Sequence, residues 1–223
     1  MSLHGEAGRA LIPLNTMMKK GLPLLPLLAG LLGFAPQAGA QDVQPDRPQL
    51  TDLPTLYIET EGGAPIVSKE DYINSTLTYV DGDSTAQYEK VEIRGRGNST
   101  WGLAKKPYRI KFEEKERFLG EDHANAKSWT LLANHADKTL LRNAVASEMG
   151  RFMGMPFNAA ARFVDLYLNG KYQGNYQISD QVEVRKKRVD VAEQDYPLPE
   201  GADISGGYLL EVDGFAPSEP VYF

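Results

Sequence analysis

Two β-rich runs, residues 162–168 (RFVDLYL) and 172–178 (YQGNYQI), meet across Asn169-Gly170. An Asn-Gly pair between such runs supplies the two positive-φ residues of a tight hairpin turn, so this segment folds back on itself. Similar short runs recur upstream. Residues 55–60 (TLYIET) end at Gly62-Gly63, and residues 73–80 stop at Asp81-Gly82. Residues 89–94 (EKVEIR) set Val91 and Ile93 against charged neighbours, which predicts a strand with one wet face. Residues 107–112 (PYRIKF) put Tyr108, Ile110 and Phe112 on one face and Arg109 and Lys111 on the other, and residues 129–132 form a short buried strand. A helical period appears once, over residues 138–153, where Leu141, Val145, Met149 and Phe152 share a face. Asp137 is its N-cap, and Gly154 with Pro156 ends it. Beyond the hairpin, residues 181–191 alternate Val182, Val184, Val189 and Val191 with polar residues, and residues 206–212 read as a buried strand ending at Asp213-Gly214-Phe215. Strands before and after a single helix predict an α+β fold with an antiparallel sheet and one long helix.

The N-terminus reads as an address. Lys19 and Lys20 precede an apolar run over 22–34, broken by Pro23 and Pro26, and Ala38-Gly39-Ala40 follows. That order describes a secretory signal peptide over residues 1–40, cut before Gln41, with Met17 or Met18 as alternative starts. The run is shorter than the roughly 20 residues a bilayer needs, so no membrane span is expected to survive cleavage. Residues 41–54, polar with three prolines, read as a linker. One domain is expected over residues 55–223. The expected location is extracytoplasmic: periplasm, cell surface or medium.

Composition removes several classes. With no Cys there is no thiolate metal site and no cysteine nucleophile. A formal charge of -6 argues against a dedicated nucleic-acid binder, which needs excess Lys and Arg to neutralise phosphates. His123 and His135 lack metal-ligand spacing and read as structural or surface residues, and no G-x-S-x-G elbow is present.

Three features can carry chemistry. The bend at residues 94–101 (RGRGNSTW) has glycines at alternate positions, which free backbone N–H groups to face an anion, while Arg94 and Arg96 add planar cationic donors. A hairpin bend with its arginines in solvent is the alternative. The next strand returns with Lys111 on its polar face, and strand, glycine-rich bend, strand with lysine is the layout by which kinases hold nucleotide phosphates. The bend is not a G-x-G-x-x-G motif, because four residues separate Gly97 from Gly102. Glu148 lies near the apolar edge of the helix, either as an ion-pair partner of Lys111 or as a solvated flank residue. Arg142 and Asn143, near the helix start, serve either the site or the fold. Asp213, at a strand end beside Gly214, is placed to reach a divalent metal or simply to make a turn. Asp180 and Asp190 are further carboxylates. The basic run at 185–188 reads as a solvated turn, or as a contact to an acidic substrate or nucleotide.

Taken together, RGRGNSTW (94–101), KKPYRIKF (105–112), WTLLANHADKTLLRNAVASEMG (129–150), RFVDLYLNGKYQGNYQISDQVEV (162–184), KRVDV (187–191) and GGYLLEVD (206–213) resemble the CotH kinase family. The resemblance implies an atypical protein-kinase-like fold, with the long helix in the αC position and a C-terminal lobe left incomplete at Phe223. It implies ATP and Mg²⁺ (or Mn²⁺) as cofactors, and transfer of the γ-phosphoryl group to Ser or Thr of a secreted or envelope protein. On that template Arg94, Arg96 and Asn98 line the phosphates, Lys111 holds them, and Glu148 orients Lys111. Gln181 and Val182 meet the adenine, Asp213 ligates the metal, and Asp190 takes a second acidic role. The competing expectation is a non-catalytic extracellular scaffold or adhesion module that retains the fold.

Overall fold

The computed structural model describes residues 47–192, 197, 199–205 and 207–210. Seven strands and one helix follow in order: β1 (Thr55–Thr60), β2 (Ile73–Asp81), β3 (Ser84–Gly95), β4 (Tyr108–Glu116), β5 (Ala126–Leu132), α1 (Arg142–Phe152), β6 (Arg162–Leu168) and β7 (Lys171–Asp180). The β2–β3 turn is a tight one closed by the Asp81–Ser84 pair, with Gly82 at φ 60°. The β6–β7 turn has Asn169 and Gly170 at φ 49° and 71°, the left-handed pair that the Asn-Gly sequence predicts.

The strands close into a barrel in the order β1-β2-β3-β4-β5-β7-β6. This corrects the expected α+β, atypical kinase-like fold of an antiparallel sheet with one long helix. Every neighbouring pair is antiparallel except β1 and β6, whose parallel pairing of Thr55 with Asp165 through Ile58 with Leu168 shuts the ring. Alternation along a strand says which face is buried, but it is the same for an open sheet and a closed one. Closure depends on that one pairing between distant segments. Irregularities in the ladders between Ser75 and Leu77, between Lys111 and Glu116, and between Leu166 and Tyr167 supply extra twist.

Inside the barrel, Leu56, Ile58, Ile93, Ile110, Trp129, Leu131, Leu166 and Ile178 have no exposed surface. Phe118, from the loop after β4, plugs the interior and makes ring contacts with Tyr79, Tyr88, Phe112 and Trp129. The proline-containing lead-in is docked from Arg47 onward. Thr51 Oγ1 donates to Asp165 at 2.7 Å, Tyr57 donates to the Pro48 carbonyl at 2.6 Å, and Arg47 pairs with Glu59 at 3.3 Å.

Helix α1 departs from expectation in length and in packing. It begins at Arg142 rather than near Lys138, because Leu140 at φ 61° breaks the helical path. The residues of its apolar face are exposed, from half for Leu141 to 92% for Phe152, and only Gly150 of the helix is buried. Among the described residues, two β-rich stretches form no strand, and residues 206, 211 and 212 of the second lie outside the described residues. Residues 181–191 hold a single isolated bridge, Val184 to Val189, and Tyr208, Leu209 and Leu210 lie exposed outside any strand. No helix among the described residues is long and apolar enough to cross a membrane.

Candidate functional site

The glycine-rich bend leaves β3 at the barrel rim. Gly95 donates its N–H to the Ser68 carbonyl at 2.9 Å, and Arg96 donates to the Pro107 carbonyl at 3.2 Å. Those two amides therefore serve the backbone and not an anion. Glycine is required at 95 because the Trp101 ring lies against it, so an added Cβ would come within 2.5 Å of the ring. Gly97 adopts φ 88°, a left-handed conformation that side chains disfavour. The bend then closes in a 3-10 turn over Ser99–Gly102.

Between this bend and the loop leading to α1 lies an open cavity of about 350 Å³. Its polar lining includes Arg96 and Thr100 from the bend, Lys105 ahead of β4, Asn134, His135 and Asp137 from the loop, and Arg142 and Asn143 from α1. Three cationic side chains thus face one carboxylate. Burial pulls the Lys105 ammonium below its usual range, and burial together with the neighbouring Arg109 charge lowers the Arg96 guanidinium. Both shifts record a charge that would be more comfortable beside an anion. Lys105 reaches the Asn175 carbonyl and sits 4.4 Å from the Tyr176 ring centroid. Gly174, at φ 90°, leaves room beside it, since a Cβ there would stand 3.7 Å from the lysine Nζ.

A small polar network fixes the loop wall. Asn134, at φ 49°, donates to the Leu140 carbonyl at 3.1 Å and to Gln177 Oε1 at 3.0 Å, and accepts from Asn143 Nδ2 at 2.8 Å. Asp137 accepts from the Arg142 N–H at 2.9 Å and from Thr139 at 2.7 Å. It therefore caps α1 from across the Leu140 kink. The Arg142 backbone bond is the main reason its carboxyl lies below the usual range.

The residues nominated from sequence scatter. Arg96 lines the cavity, while Arg94 turns onto the Tyr72 ring at 4.9 Å and Asn98 is exposed at the bend. Lys111 pairs with Glu92 at 2.8 Å on the outer barrel wall, and Glu148 pairs with Arg151 on exposed helix surface. The predicted Lys111–Glu148 pair is thus not formed. Gln181 and Val182 follow β7, with Val182 exposed, and Asp190 is exposed in the strap beyond them. Asp213 lies outside the described residues.

The basic run at 185–188 is not simply solvated. Arg188 is buried, pairs with Asp180 at 2.8 Å, donates to the Ser128 carbonyl at 2.9 Å and lies 4.7 Å from the Trp129 ring centroid. Its Nη1 is 3.0 Å from Glu183, but at an angle that makes no hydrogen bond.

Lys105 and Asn134 were missed from sequence. Lys105 precedes its strand, where alternation assigns no face, and Asn134 looks like an ordinary loop residue. Among the described residues no group of three or more His, Asp or Glu could hold a metal ion.

A family model described as CotH kinase protein matches residues 93–220. No curated protein matches the chain.

Proposed function

Because the chain belongs to the CotH kinase protein family, we propose that it is an atypical protein kinase whose rim cavity receives the phosphates of ATP. The acceptor is a Ser or Thr hydroxyl of an exported protein, a reading supported by the signal-like leader. One observation carries the assignment of the cavity. Three blocks of the resemblance, RGRGNSTW, KKPYRIKF and LLANHADKTLLRN, contribute Arg96, Lys105 and Arg142 to a single concave surface.

In the proposed reaction the acceptor oxygen attacks the γ-phosphorus, the bond to the bridging oxygen breaks, and ADP leaves. Charge neutralisation and alignment dominate such transfers. Arg96 and Arg142 supply planar donors suited to phosphate oxygens, and Lys105 supplies a point charge. Asn134 and Asn143 hold the loop wall at fixed distance. Asp190 does not line the cavity, so the acceptor proton leaves to solvent rather than to that carboxylate. The family also implies Mg²⁺ or Mn²⁺, which would screen the triphosphate charge. The described residues supply no metal cluster and Asp213 lies outside them, so no step is routed through the ion.

The test is incubation of the protein with labelled ATP and Mg²⁺ or Mn²⁺, alongside Lys105→Ala and Arg96→Ala. Transfer that both substitutions abolish is the expected result; no transfer by the parent protein overturns the reading. The exposed apolar face of α1 favours a second reading, a scaffold that keeps the fold without catalysis. Thermal unfolding separates the two, because ATP at 100 times its Kd adds about 2.7 kcal/mol of stability and a scaffold gives a flat response.

A further inference from the structure

The outer faces of β3 and β4 carry two consecutive cross-strand rows. In the first, Glu92 faces Lys111 and the two pair at 2.8 Å. In the next, Arg94 faces Arg109. Among the described residues neither arginine has a carboxylate within 4.0 Å. Like charges directly opposite one another destabilise a sheet. Burial makes the juxtaposition worse, since both Nε atoms are enclosed and lack any hydrogen-bond partner. Arg109 satisfies one donor on Ser128 Oγ at 3.2 Å, and Arg94 has the face of Tyr72. Arg96 stands at the edge of the row, and the charge of Arg109 helps pull its pKa down. Three guanidinium groups therefore gather with no carboxylate within 4.0 Å of any of them among the described residues.

We propose that the Arg94–Arg109 row, with Arg96 at its edge, is a second anion site that takes a tetrahedral dianion of the phosphate-monoester class. A dianion would neutralise two facing cations at once, and planar guanidinium forks match the oxygens of such a group. The row adjoins the rim cavity through Arg96, which lines it, while neither Arg94 nor Arg109 does. Tyr72 holds the Arg94 plane and Ser128 holds one edge of Arg109, so the donors are arranged before the ligand arrives. The inference does not depend on catalysis.

The test titrates the full chain with inorganic phosphate, with a phosphoserine peptide, and with chloride at matched ionic strength. The readouts are the arginine Nε resonances and the melting temperature. Phosphate should stabilise the protein where chloride does not, and Arg109→Gln should weaken phosphate binding at least about tenfold, as expected for losing a charge-assisted hydrogen bond. The same substitution should weaken ATP binding less than phosphate binding, because Arg109 touches the rim cavity only through its charge on Arg96, and without phosphate the variant should be at least as stable as the parent. Arg94→Gln serves as the second handle if Arg109→Gln does not fold. Binding of free phosphate alone supports the site with a free anion as ligand, and tighter binding of the peptide supports a protein-borne one. Equal responses to phosphate and chloride overturn the proposal, as does an equal loss of ATP and phosphate binding in Arg109→Gln. Phosphate binding in a protein that ignores ATP would sink the kinase reading and leave this one standing.

Discussion

Two phenylalanines mark the contrast between the barrel and its rim. Phe118 is 2% exposed and touches four other aromatic rings, whereas Phe152, at the end of α1, is 92% exposed. The barrel is over-determined: a closed ladder, a filled interior and a plug all specify the same arrangement. The rim rests on a few polar bonds around Asn134 and Asp137, with two non-glycine residues at positive φ. Stability is thus concentrated in one region and binding groups in the other, so substitutions should sort by region rather than by residue type.

The largest effect should come from the plug. Phe118→Ala removes a buried ring and is expected to destabilise by about 3–5 kcal/mol, while Phe152→Ala should stay within about 0.5 kcal/mol. Urea unfolding of both proteins measures the difference. Equal losses would mean that α1 is covered in solution, and the contrast between the regions would fail.

A second pair sharpens the contrast with charges. Arg188→Ala leaves Asp180 buried without its cation, a change expected to destabilise by about 3–5 kcal/mol. Glu148→Ala breaks an exposed pair on α1 and should leave the unfolding midpoint where it is. A mild Arg188→Ala would show that the strap beyond β7 opens independently of the barrel.

What could be read from sequence follows the same division. Alternation or β-rich composition marked a segment of each of the seven strands, and Asn169-Gly170 marked its turn, because each is a local rule acting on neighbouring residues. Barrel closure was not legible, since it depends on β1 meeting β6 in parallel and no local pattern encodes that partner. The period of α1 was legible but its packing was not. Leu141, Val145, Met149 and Phe152 form a helical stripe whether or not anything covers them. At the site, Arg96 was visible beside its glycines. Lys105 was hidden just outside a strand, and the Lys111–Glu148 pairing failed because Lys111 already has Glu92 directly across the sheet. Arg188 was misjudged because four consecutive basic residues look solvated until one of them is seen under a tryptophan.

The rim also predicts a pH dependence. The Lys105 pKa is lowered by burial in the free protein, and a phosphate beside it would raise that value. Anion affinity should therefore be full below the free-protein pKa of Lys105 and fall as the pH rises through the anion-bound value. For folding the sign is opposite. The unfolded chain holds the Lys105 proton more tightly, so this group's contribution to stability improves as pH rises from the depressed value toward that of a free lysine. Titration calorimetry with ATP at several alkaline pH values checks the first statement, with Lys105→Gln as the control that should abolish the trend. A trend that persists in Lys105→Gln would assign it to another group.

A smaller effect than at the plug or at Arg188 is expected at Leu140, where backbone conformation and side-chain identity conflict. Its φ of 61° is left-handed, which disfavours a leucine by roughly 1–2 kcal/mol. Glycine adopts that conformation freely but loses roughly 0.5–1 kcal/mol more conformational entropy on folding. Leu140→Gly should therefore be neutral or stabilising by up to about 1.5 kcal/mol, with the Asn134 bond to the residue-140 carbonyl retained. Thermal unfolding gives the stability, and ATP affinity reports whether the cavity wall has kept its place. If affinity falls while stability rises, the strained leucine is there to hold the loop against the cavity. If both fall, its side chain packs in a way that outweighs the strain, and the rim is more firmly built than its few polar bonds suggest.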